Sequence, residues 1–128
     1  MRNFWLSVSG VLGALAVGLG AFGAHGLKER ITPDMLTIYE VGVRYHVYHA
    51  LAILAVSPAV GLQPDSPWLR RACGAWCAGI IIFSGSLYAL AISGEKWLGA
   101  ITPIGGVAFI AGWCMLVAAG RSYRGHSA

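Results

Sequence analysis

The chain has 128 residues, of which 57% are apolar and only 11% charged, with 18 glycines and a mean hydropathy of +0.68. A soluble domain carries about 25% charged residues, so this composition excludes an ordinary soluble protein, a disordered tail and a nucleic-acid binder. The pI near 9.3 reflects nine Lys and Arg against five Asp and Glu, a surplus that membrane topology explains.

Four stretches reach the roughly 20 residues that a helix needs to cross a bilayer. The first is residues 4–24. Arg2 in front and small residues near Phe22–Ala24 mimic a cleavable signal, but the apolar run exceeds the roughly 7–15 residues of a signal core. The reading is a retained transmembrane helix. Its small residues form two stripes, Gly10/Ala14/Gly18 and Ala16/Gly20/Ala24, at the spacing that lets helix backbones approach closely in lipid. Close packing within the bundle is sufficient explanation for either.

In the next connection, Thr32-Pro33-Asp34 reads as a helix start: N-cap, first-position proline, and an acid at the positive dipole end. A helix from Pro33 to Leu62 would be about 45 Å long against about 30 Å of hydrocarbon. Residues 33–42 are therefore expected as an amphipathic extension, Gly42 as a bend, and residues 43–62 as the second span. Pro58 should loosen its far end. Gln63-Pro64-Asp65-Ser66-Pro67 is a rigid turn, residues 72–94 are the third span, and residues 97–120 the fourth. The expected fold is all-α, a single membrane domain built as a four-span antiparallel bundle. Cys73, Cys77 and Cys114 read as small apolar packing residues.

With four spans both termini share a side. That side collects Arg2, Arg70, Arg71, Arg121 and Arg124, whereas Lys28, Arg30, Arg44 and Lys96 lie opposite with Glu29, Asp34, Glu40 and Glu95. The balance places both termini in the cytoplasm. Trp5, Trp68 and Trp97 stand at span ends, where amphipathic rings favour the interface.

Four motifs then suggest a family: Gly20-Ala21-Phe22-Gly23-Ala24-His25-Gly26-Leu27, Tyr45-His46-Val47-Tyr48-His49-Ala50-Leu51-Ala52, Phe83-Ser84-Gly85-Ser86-Leu87-Tyr88-Ala89-Leu90, and Leu98-Gly99-Ala100-Ile101-Thr102-Pro103-Ile104-Gly105-Gly106 with Gly112-Trp113 behind. In this order, over essentially the whole chain, they closely resemble the YgdD/YwdK family of small uncharacterised bacterial inner-membrane proteins, a domain-of-unknown-function family with mitochondrial relatives. The resemblance implies four transmembrane helices and the inner membrane. It implies no activity, so no catalytic residue carries over. His46 stands where the family pattern has glutamine, so a function depending on it would be peculiar to this chain.

The polar residues of the spans converge on the outer half: His25 closes the first span, Glu40, Arg44, His46 and His49 open the second, Ser84, Ser86 and Tyr88 reach the same side in the third, and Thr102 opens the fourth. Unpaired polar groups in hydrocarbon are costly, so these should face one another in a pocket opening outward. The expectation is one layer joining His25, Glu40, Arg44, His49 and Tyr88, with Glu40 and Arg44 ion-paired along one helix face. His49 should donate from one ring nitrogen and accept at the other.

A purely structural network is the simplest reading of that cluster. A ligand or proton-linked transport site using the histidines is the next. Metal or haem ligation by His25, His46 and His49 is a weak third, and no cofactor is expected. No nucleophile arrangement marks an enzyme. His126, in the cytoplasmic tail, reads as solvated. The leading functional expectation is a non-enzymatic protein that binds membrane lipid or a membrane-protein partner in an accessory role, with homo-oligomer formation through the Gly10/Ala14/Gly18 and Ala108/Gly112 stripes. The alternative is a small proton-coupled transporter or channel.

Overall fold

The computed structural model describes residues 3–123, so Arg2, Arg124 and the expectation of a solvated His126 lie outside the described residues. Within them the chain is helical without a strand, as four helices long and apolar enough to cross a membrane: α1 (Phe4–Leu27), α2 (Pro33–Leu62), α3 (Trp68–Ser93) and α4 (Lys96–Ser122). Local signals set their ends. Asn3 Oδ1 accepts from the Leu6 amide at 3.1 Å and caps α1. Thr32 Oγ1 accepts from the Met35 amide at 3.2 Å, with Pro33 in the first turn of α2. Gly94 ends α3 in the left-handed region at φ 75°, which glycine enters without a Cβ clash.

Helix α2 is continuous from Pro33 to Leu62, through both Gly42 and Pro58. The helix is not interrupted at Gly42, which serves packing: a Cβ there would come within 2.9 Å of the Tyr88 ring. Two π turns interrupt the α pattern instead, Gly23–Leu27 at the end of α1 and Ile80–Ser84 in mid-α3. The fourth helix opens with a 3-10 turn, Lys96–Ala100.

Packing proceeds in chain order, α1 along α2, α2 along α3, and α3 along α4. Glycines permit the close approaches. Gly79 receives the Phe109 ring, Gly112 the Trp76 indole, and Gly105 lies directly on the Phe83 backbone. Two apolar cores result. The cytoplasm-facing core of the expected topology holds Ile53, Val56, Leu69, Cys73, Trp76 and Phe109. The other, toward the opposite face, holds Leu27, Tyr39 and Ala91. Cys73 and Cys77 pack as expected, but Cys114 is exposed, which corrects its reading as a packing residue. It sits on the exposed surface of α4.

Candidate functional site

The buried stripe of α2 runs Tyr39, Gly42, His46, His49 and Ile53, in steps of three and four that keep one helix face inward. His46 and His49 enter the protein between the two cores, both nearly inaccessible at 3% and 4% exposure. There they meet different partners. His46 Nδ1 and the Tyr88 hydroxyl share a hydrogen bond of 2.9 Å, beside Ser84, whose hydroxyl donates to the Gly42 carbonyl at 2.7 Å. The other ring nitrogen, Nε2, faces the Leu12 carbonyl of α1 without meeting it at hydrogen-bonding geometry.

The environment of His49 fixes its protonation. The Trp113 indole N–H is a donor only and reaches His49 Nε2 at 3.1 Å, so Nε2 must accept. Nδ1 then carries the hydrogen and donates to the Tyr45 carbonyl at 2.8 Å. The imidazole also lies flat on Phe109, ring centroids 3.7 Å apart and planes within 11°. A neutral, singly protonated ring locked on three sides is a good strut, and it leaves no free nitrogen for a proton relay or a metal. A third polar contact, Ser86 Oγ to Thr102 Oγ1 at 2.6 Å, ties α3 to the start of α4.

These contacts account for His46, His49, Ser84, Tyr88 and Thr102, as separate pairs and not one layer. His25, Glu40 and Arg44 are exposed and join none of them, so the single network is corrected. The reason is rotational. Each residue turns a helix by about 100°, and Glu40 and Arg44 fall on the stripe beside the buried one, flanking the α1–α2 seam. Nor do they pair with each other among the described residues. The π turn at the end of α1 directs Leu27 inward and leaves His25 outside. Depth differs as well, because His49 falls near the middle of the 30-residue α2, far below His25. The weak idea of a three-histidine metal site fails on the same geometry: among the described residues no three metal-ligating side chains converge.

Sequence reasoning missed Trp113, Trp76 and Phe109, which surround His49. A signal existed. Interface tryptophans sit at span ends, whereas Trp113 lies deep within α4, where its N–H requires a partner.

Comparison with known proteins agrees with this all-helical membrane architecture. Residues 19–106 match the family model "Protein of unknown function (DUF423)". The chain belongs to this family. It is 46% identical over 123 residues to the UPF0382 membrane protein YwdK of Bacillus subtilis, covering 88% of this chain and 95% of that one. It is 46% identical over 121 residues to the UPF0382 membrane protein SAB0533 of Staphylococcus aureus, with 90% and 96% covered. A UPF0382 membrane protein of Haemophilus influenzae is 40% identical over 116 residues, with 91% and 92% covered. No solved structure matches. Membership in DUF423 brings the description of a membrane protein and assigns no reaction, which leaves function to be argued from the site.

Proposed function

We propose that this DUF423 protein is a non-enzymatic component of the cell inner membrane, with both termini cytoplasmic, that acts by binding membrane lipid or a membrane-protein partner. One observation carries this reading: apart from His46 Nε2 and Trp76 Nε1, which meet no partner, the buried polar side chains inside the spans are turned on one another or on their own helices. His49 is saturated by Tyr45 and Trp113. In the half nearer the termini, Ser9 donates to the Leu6 carbonyl at 2.7 Å and Ser57 to the Leu54 carbonyl at 2.9 Å. A transported proton or solute needs polar groups with unmet capacity along its whole path, and the N–H and O–H donors of these serines and of His49 are already engaged. A partner-binding role is supported by the small-residue face of α1, where a Cβ at Gly10, Gly13 or Gly18 would meet nothing; a second copy or another helix fits such a face.

Proteoliposomes test the proposal against its rival. The purified chain reconstituted with an internal pH dye should pass protons no faster than protein-free vesicles under an imposed pH gradient. Flux above that background, in either direction, would replace the binding role with proton-coupled transport.

A further inference from the structure

The seam between α1 and α2 carries two hollows. The larger, about 530 Å³, is lined on α1 by Gly10, Gly13 and Val17 and on α2 by Val47, Leu51 and Leu54. The smaller, about 330 Å³, is lined by Gly20 and Ala24 opposite Glu40 and Arg44. Along α1 the linings run 10, 13, 17, 20, 24, and along α2 they run 40, 44, 47, 51, 54. Steps of three and four keep to one face of a helix, so the hollows are two stretches of one groove on one side of the seam. From Glu40 to Leu54 it extends about 21 Å, enough to run from the headgroup region through one leaflet of about 15 Å.

Its chemistry changes along its length. The deep stretch is apolar, and its glycine floor is open, since nothing in the protein lies within 4 Å of a Cβ at Gly10 or Gly13. The shallow stretch ends in one cation and one anion that pair neither with each other nor with another group among the described residues. Arg44 lies one turn deeper than Glu40.

We propose that this groove holds one phospholipid with a primary-amine headgroup, and that the phosphate meets Arg44 while the ammonium meets Glu40. The inference rests on the lipid-binding arm of the proposed function. The order of charges decides the headgroup. In such a lipid the phosphate is nearest the chains and the amine lies beyond it, matching a cation below an anion. Guanidinium binds phosphate oxygens through paired N–H donors, and a carboxylate accepts from the three N–H donors of a primary ammonium. A choline headgroup has no N–H for Glu40, and a glycerol headgroup has no cation at all. One acyl chain fills the glycine-floored stretch below.

The test is native mass spectrometry of the full-length protein released from nanodiscs of equimolar phosphatidylethanolamine, phosphatidylcholine and phosphatidylglycerol. One phosphatidylethanolamine should stay bound per chain, favoured over phosphatidylglycerol by about tenfold. Glu40→Gln should erase the preference among headgroups, Arg44→Gln should release the lipid, and Arg44→Lys should retain part of it. Glu29→Gln, in the exposed connection before α2, should keep full selectivity and serves as the folding control. Equal or greater retention of phosphatidylglycerol would overturn the assignment. So would selectivity surviving in both neutral variants, or a lipid-free dimer with a second copy in the groove. The same lipids made into dye-loaded vesicles separate the two readings: proton flux overturns the proposed function, whereas lost selectivity without flux overturns the lipid alone.

Discussion

At the scale of single residues, His49 joins the second and fourth helices, and its replacement leaves the Trp113 indole N–H without its acceptor. His49→Leu orphans the Trp113 indole N–H, removes the side-chain donor to the Tyr45 carbonyl, which keeps its backbone partner in the helix, and removes the ring that lies on Phe109. Leaving a donor away from water unmet costs up to about 1–3 kcal/mol, and the lost stacking on Phe109 adds to it, so the melting temperature in mild detergent should fall. Trp113→Phe removes the donor from the other side. Because the two side chains share one hydrogen bond, the double variant should lose less than the sum of the two single losses. Additive losses would show that the bond contributes nothing to stability. His46 is a different case: Tyr88 holds one ring nitrogen and the other has no partner, so it is the histidine most open to exchange for glutamine, whose amide can still meet Tyr88.

At the scale of the helices, what decides the packing is which glycine meets backbone and which meets a ring. A Cβ on Gly105 falls on the Phe83 main chain, which cannot swing aside, whereas Gly10 faces open space. Gly105→Ala should therefore separate α4 from α3 and lower the unfolding temperature sharply. Gly10→Ala should be neutral or slightly stabilising, by up to about 1 kcal/mol, through helix propensity. Thermal denaturation of the two variants side by side checks the contrast, and a Gly105→Ala protein as stable as the parent would refute the close approach. Helix existence was legible in the sequence because an apolar run of about 20 residues has few other uses, and the capping at Thr32 was legible for the same local reason. Helix rotation was not. A helix that is apolar on every face gives no periodic sign of its buried side, so Glu40 and Arg44 read as neighbours of His49 when they lie on the adjoining stripe. The π turns left no compositional mark, and Trp113 was passed over because tryptophan was read only as an interface residue.

At the scale of the molecule, the arrangement of basic residues argues for one insertion. Arg70 donates to the Pro64 carbonyl at 3.1 Å and the Arg71 guanidinium lies 5.4 Å from the Trp68 ring centre, both in the first turn of α3. A fluorescent or phosphatase reporter fused after the last residue should report the cytoplasm, and a cysteine placed at Glu95 should react with impermeant reagent from outside. The reverse pattern would invert the protein and move the Glu40–Arg44 groove to the cytoplasmic leaflet. The mid-span π turn at Ile80–Ser84 has a consequence on the same scale. Toward the termini α3 meshes with α4 through Trp76 and Gly79; from Ser84 onward it reaches α2 through Ser84 and Tyr88 and α4 through Ser86. The extra residue in the turn sets the phase between these two meshes, and Ile81 stands out from it at 71% exposure. Deleting that one outward residue would let the turn tighten to α and rotate everything after it by about 100°, swinging Tyr88 off His46 while Trp76 stayed in place. Length in this part of the chain is thus counted residue by residue, and a single-codon loss at an exposed position would be felt across the whole half of the bundle away from the termini.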